Sequence, residues 1–115
     1  IEKNRKNLGS FNVLPFEGQA ANIIDKLPAP DAAFIGGSDG EMSEIITKLL
    51  NKNPKVKVII SAVSLETLLE AKQAIKNFDE QNIVQIHSIR GHRINDTTEF
   101  TSNNPIYLLY GKAKV

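Results

Sequence analysis

Apolar residues recur along this chain with two different periods, and the switches between them mark its elements. In "EMSEIITKLLNKN", Met42, Ile45, Ile46, Leu49 and Leu50 fall at i, i+3, i+4, i+7 and i+8, the stripe of an amphipathic helix. Asn53-Pro54 stops it. A second helix is predicted over "LETLLEAKQAIKNF", with Leu65, Leu68, Leu69, Lys72, Ile75 and Phe78 on one face. Ser64 reads as its N-cap, with Thr67 at N3. "QAANIIDKL" allows two further helical turns before "PAP" ends them. Strands are predicted at "FNVLPFEG", "DAAFIGG", "KVKVIISAV", "NIVQIHSI" and "NPIYLLYG".

Strand, helix, strand, helix, strand is an α/β order. Consecutive apolar residues in the central strands predict burial on both faces, as in a parallel sheet. No helix separates the last two strands. "RGHRINDTTEFTSNN" joins them as a loop, which makes them antiparallel neighbours at one end of the sheet. Open α/β sheets bind ligands outside the carboxyl ends of their strands. Those ends are Glu17-Gly18-Gln19-Ala20, Gly36-Gly37-Ser38-Asp39, Ser61-Ala62-Val63 and Ser88-Ile89-Arg90-Gly91. Glu2-Lys3-Asn4 joins them if the chain opens at the end of a strand.

Composition narrows the chemistry. A chain of 115 residues is expected to form one domain, and its net charge of +1 gives no reason to propose nucleic acid or an anionic membrane as partner. The absence of cysteine excludes disulfides and thiolate metal sites. His87 and His92 have no nearby acidic cluster, so no metal site is expected. No apolar run approaches the roughly 20 residues of a membrane-spanning helix. The start "IEKNRKN" lacks the apolar core of a signal peptide, which makes the cytoplasm the default location.

Gly36-Gly37-Ser38-Asp39-Gly40 fits neither G-x-G-x-x-G nor G-x-x-x-x-G-K-[ST]. On local pattern it is a weak phosphate cradle or a turn whose glycines supply positive φ. Arg90, His92 and Arg93 form a cationic loop, either solvated or able to take carboxylates in guanidinium forks. His87 alternates with apolar residues and reads as structural. No carboxylate pair for acid–base work stands out.

Taken in order, "LPAPDAAFIGGSDGEMSEII", "SAVSLETLLEA", "VQIHSIRGHR" and "NNPIYLLYG" resemble the decarboxylating precorrin methyltransferases of cobalamin biosynthesis. That family shows a proline-flanked Asp before a strand ending in I-G-G-S, then N-A-V-T-L-E, V-Q-x-x-x-S-R-G and a closing N-P-V-Y-I strand. The resemblance runs from about Ile1 to Gly111. It implies the Rossmann-like class I S-adenosylmethionine-dependent methyltransferase fold: an α/β, mostly parallel sheet with an antiparallel last strand. Residues 1–115 would be one partial methyltransferase domain.

The resemblance also implies roles. Glu2 looks like the acidic strand-end residue that bonds the ribose of S-adenosylmethionine. Gly18, Gln19 and Ala20 look like the loop beside the adenine. Ile35, Gly36 and Gly37 look like the loop along the methionine end, with Ser38 facing the substrate. Ser61 and Ala62 stand beside the methyl-transfer site, where Ser61 departs from the family's Asn. Arg90, with Arg93, would hold the carboxylates of a tetrapyrrole. No residue is assigned as an acid–base catalyst and no metal is implied. The implied assembly is a homo-oligomer, up to a tetramer, with "TEFTSNNPIYLLYG" supplying a strand edge.

Two departures stand out. The family's first strand and its D-x-G-x-G loop are absent, and only a short run separates "IEKN" from "SFNV", where the family has a helix. A sheet without its first strand would leave apolar edges unpaired, so the complete protein is expected to be longer. The implied activity is methyl transfer from S-adenosylmethionine to a precorrin ring carbon with loss of an acetate carboxylate. Another small-molecule methyltransferase of this fold, or a non-catalytic α/β binding module, is the alternative. I-G-G-S in place of N/D-P-P-Y/F argues against methylation of nucleobase amines.

Overall fold

The computed structural model describes residues 1–37 and 40–113. Three short helical pieces come first: α1 (Glu2–Asn7), α2 (Ala20–Ile23) and a 3-10 turn (Ile24–Lys26). Then follow β1 (Ala32–Ile35), α3 (Met42–Lys52), β2 (Lys57–Ala62), α4 (Leu65–Ala74), β3 (Glu80–Ile86), β4 (Ile89–Ile94), β5 (Thr97–Ser102) and β6 (Ile106–Lys112). Four strands form one sheet in the order β1-β2-β6-β3, and β4 and β5 form a separate hairpin.

β1 and β2 are parallel, joined through α3. β6 runs antiparallel to both its neighbours, β2 and β3, so the sheet is mixed: three strands run one way and β6 runs the other. The last two strands of the sheet are thus antiparallel neighbours, as the sequence predicts. Insertion of β6 between β2 and β3 leaves β3, not β6, at the edge.

The core lies on one face of this sheet. Ile35 of β1, Val58 and Ile60 of β2 and Leu109 of β6 meet Met42, Ile45, Ile46 and Leu49 of α3. Ala71 of α4, with Ile75 and Phe78 beyond it, closes the same layer. Gly111 makes that closure possible. A Cβ there would stand 2.8 Å from Phe78 Cδ2 and 2.9 Å from Ile75 Cδ1. Gln81 then donates from Nε2 to the carbonyls of Ile75 and Phe78 at 3.0 and 3.1 Å, satisfying groups that the end of α4 leaves free.

Several expectations are corrected. The consecutive apolar residues of the central strands are not buried on both faces: Phe34, Ile59, Val84, Ile86 and Ile106 are exposed on the face opposite the helices. The two-sided pattern is present in the sequence, but among the described residues only one face is covered. Of the stripe predicted for α4, Ile75 and Phe78 are buried just beyond the helix end, whereas within the helix Leu65 and Leu69 are exposed and Ala71 is buried instead. "FNVLPFEG" forms no strand. "RGHRINDTTEFTSNN" is not a loop but contains most of the β4–β5 hairpin, turned by Asn95-Asp96 with Asn95 at φ 54°. Ser64 caps α4 as predicted, its Oγ accepting from Thr67 N at 3.1 Å.

Candidate functional site

Ile35 is the last residue of β1, and the chain leaves the sheet there through Gly36 and Gly37. Gly37 has φ 148° and Gly40 has φ 83°, a backbone region that side-chain-bearing residues rarely enter. Nothing among the described residues stands within 4 Å of a Cβ position at Gly37, which leaves room for close approach to the backbone. From this point a cleft of about 270 Å³ runs along β1, lined by Ala20, Ile24, Ala33, Phe34, Ile35, Gly36, Gly37, Ile45 and Leu49. Four of the seven residues predicted to hold the cofactor therefore line one cleft: Ala20, Ile35, Gly36 and Gly37. Gly18 and Gln19 directly precede Ala20, Gln19 being the N-cap of α2. Gly18 has φ 140°, and a Cβ there would meet Ile23 Cδ1 at 2.8 Å.

Lysines of α3 hold the α2 wall in place. Lys48 Nζ donates to the Ala21 carbonyl and pairs with Asp25 Oδ2 at 2.9 Å. Lys52 Nζ donates to the carbonyls of Asp25 and Leu27. The bond from Lys48 lowers the Asp25 carboxyl below its ordinary range, and the same bond raises the Lys48 ammonium. The other end of the glycine loop is tied down from α4. Glu70 Oε1 accepts from Met42 N at 3.1 Å, across 28 positions of sequence. The positive end of α3 thus already faces a carboxylate, which weakens the phosphate-cradle reading of the glycines.

The remaining predicted residues divide. Ser38 lies outside the described residues. Ser61 sits at the carboxyl end of β2, on the face away from the helices, opposite Leu108 of β6. Ala62 points the other way and is 1% exposed, so its side chain is closed to a substrate. Beyond it, Val63, Ser64, Leu65, Leu68, Asn104, Pro105 and Tyr107 line a second hollow of about 360 Å³.

Arg90 and Arg93 are both on β4, paired with Thr101 and Thr98. Three positions apart on a strand, they lie on opposite faces of the hairpin. Arg93 donates from Nε to the Asn95 carbonyl at 3.2 Å, beside Asp96 at the hairpin tip. Arg90 shares its face with His92 and Glu99. His87 is exposed and bonds Ser102 Oγ at 2.7 Å, in keeping with a structural reading.

Glu2 is a clear correction. It lies in the first turn of α1, not at a strand end, and pairs with Arg5 at 2.8 Å. Arg5 also donates to the Val13 carbonyl at 2.7 Å and sits 5.4 Å from the Phe11 ring centre, folding residues 2–13 on themselves. Glu70, Lys48 and Lys52 were not legible as positioning groups, because their partners are distant in sequence. Among the described residues there is no cluster of three metal-ligating side chains, and no helix is long and apolar enough to cross a membrane.

Comparison with known proteins places the chain in a family and a fold. A relative in Methanothermobacter thermautotrophicus, described as a probable cobalt-precorrin-6B C(15)-methyltransferase (decarboxylating), is 35% identical over 108 residues, 92% of this chain and 56% of the relative. The solved precorrin 8W decarboxylase from Methanobacterium thermoautotrophicum superposes with a TM-score of 0.86 at 35% identity, over 96% of this chain and 61% of that one. The precorrin-6y C5,15-methyltransferase from Geobacter metallireducens gives 0.87 at 28% identity, over 99% of this chain and 61% of that one. The chain thus spans little more than half the length of these relatives. Its fold is that of the class I S-adenosylmethionine-dependent methyltransferases. Residues 1–111 match the precorrin methyltransferase domain, and the chain belongs to that family.

Proposed function

We propose that residues 1–115 form part of one methyltransferase domain that acts in the cytoplasm on a precorrin. The reaction is methyl transfer to a ring carbon, coupled to loss of an acetate carboxylate as carbon dioxide, in cobalamin biosynthesis. The carrying observation is the cleft that brings Ala20, Ile35, Gly36 and Gly37 together at the carboxyl end of β1. Its lining fits S-adenosylmethionine: apolar walls for a flat base, and glycine backbone without side chains where a ligand must come close. When bound, that cofactor supplies a methyl group already activated by a positive sulfur.

The residues present then have to bind, orient and exclude water, chemistry that requires no acid–base pair. Gly18 and Gln19 lie beside the adenine end, next to Ala20. Gly36 and Gly37 approach the methionine end. Ser61 stands at the neighbouring strand end on the substrate side. Arg90 takes a carboxylate of the macrocycle through charge-assisted hydrogen bonds. Ala62, Arg93 and Glu2 have no part in this reading. The assembly proposed is a homo-oligomer, up to a tetramer, and the exposed β4–β5 hairpin supports it by offering strand edges and apolar side chains to a second copy.

Calorimetric titration of the full-length protein with S-adenosylhomocysteine tests the reading. Binding is expected, and its absence would refute the enzyme assignment in favour of a non-catalytic module. Arg90→Ala should weaken tetrapyrrole binding by about tenfold or more, the worth of a charged hydrogen bond, and leave S-adenosylhomocysteine binding intact. Equal loss of both ligands would overturn the division of roles.

A further inference from the structure

Each site-forming loop is followed by a helix, and the two helices begin differently. After Ser61-Ala62-Val63, α4 starts with a local cap, Ser64. After Gly36-Gly37, α3 starts at Glu41, whose side chain makes no capping bond. The first amides of a helix have no partner within it. Met42 is fully buried. Among the described residues its amide is met from across the layer by α4, where Glu70 Oε1 accepts at 3.1 Å.

We infer that Glu70 is a positioning residue for the glycine loop: a carboxylate on the helix behind one site loop fixes the first helical amide behind the other. The inference rests on the cofactor reading given above. The segment from Gly36 to Glu41 leaves β1 at one end and enters α3 at the other. Gly37 and Gly40, both at positive φ, are the described glycines at its two ends, and each is placed by the element it adjoins. β1 pairing with β2 holds the first end. Glu70 holds the second, and through α4 it sets the glycine loop against the Ser61-Ala62-Val63 loop. A buried amide left without a partner would shift the loop or open the first turn of α3.

Three variants test this: Glu70→Ala, Glu70→Gln, which keeps an acceptor oxygen, and Gln81→Ala, which removes capping bonds at the far end of α4. Hydrogen exchange read by mass spectrometry over residues 36–45 should accelerate in Glu70→Ala and return close to wild type in Glu70→Gln. In the full-length protein, S-adenosylhomocysteine affinity should fall about tenfold in Glu70→Ala, recover to within about threefold in Glu70→Gln, and be unchanged in Gln81→Ala. Unchanged exchange in Glu70→Ala, wild-type affinity in that variant, or an equal loss in Gln81→Ala would overturn the inference. Failure of the wild-type protein to bind S-adenosylhomocysteine would instead refute the proposed function, with the exchange measurement still deciding whether Glu70 holds the loop.

Discussion

Ile59 and Ile60 are neighbours on β2 with the same side chain, yet Ile60 is fully buried and Ile59 is 38% exposed. The strand's alternation sends one toward α3 and α4 and the other toward the open face. Phe34, opposite Ile59 on β1, is 67% exposed. Burial here is decided by whether a helix lies over the face, not by the hydrophobicity of the residue. Ile60→Ala should therefore destabilise by about 2–5 kcal/mol, the cost of a core cavity. Ile59→Ala should cost less than about 1 kcal/mol, since much of its surface remains in water. Urea unfolding of the two variants checks the contrast. Equal losses would mean that the open face is covered when the protein folds.

The hairpin carries the contrast furthest. Every residue of β4 and β5 is exposed, and Phe100 is 77% exposed. Phe100→Ser should thus change the stability of the single chain by no more than about 0.5 kcal/mol. If the hairpin joins copies, the same substitution lowers the mass measured by light scattering. Wild-type protein that is monomeric, or a variant that assembles as before, would remove the hairpin from the assembly proposal.

Uneven burial also explains much of what was legible in the sequence, β3 being the exception: it is exposed throughout and was read from the run of Ile83, Val84 and Ile86. α3 was legible because Met42, Ile45, Ile46 and Leu49 face a core and therefore carry the helical period. β2 and β6 were legible for the same reason. The hairpin was not: with neither face buried, no period-two apolar pattern was needed, and its turn is Asn95-Asp96 rather than a glycine-bearing pair. Leu65 and Leu69 misled in the opposite sense, being apolar residues of α4 that the described chain leaves exposed. Of the site, the glycine loop and its neighbours at Ala20 could be placed from motif order. The clamps could not. Met42 to Glu70 and Lys48 to Asp25 join positions 28 and 23 apart, and nothing local marks either pair.

The smallest effect expected is at the clamp between α2 and α3. Asp25 is exposed, and its lowered pKa comes first from the hydrogen bond that Lys48 donates. A carboxyl whose folded value lies below its ordinary 3.8 contributes stability that is present above that value and lost as pH falls through the folded one. Lys48 is raised above 10.5, so its share is present below that pH and lost as pH rises through the folded value. The pair therefore stabilises across the whole neutral range, and solvent keeps the gain small. Asp25→Asn should lower the thermal midpoint slightly at pH 7 and progressively less as pH drops below about 3.8, where wild type loses the same charge. Potassium chloride at about 1 M should also narrow the gap, because exposed pairs are screened. A difference that persisted unchanged in acid would show that the Asp25 side chain acts through packing rather than charge. The α2 wall of the cleft would then be held chiefly by the lysine bonds to the carbonyls of Ala21, Asp25 and Leu27.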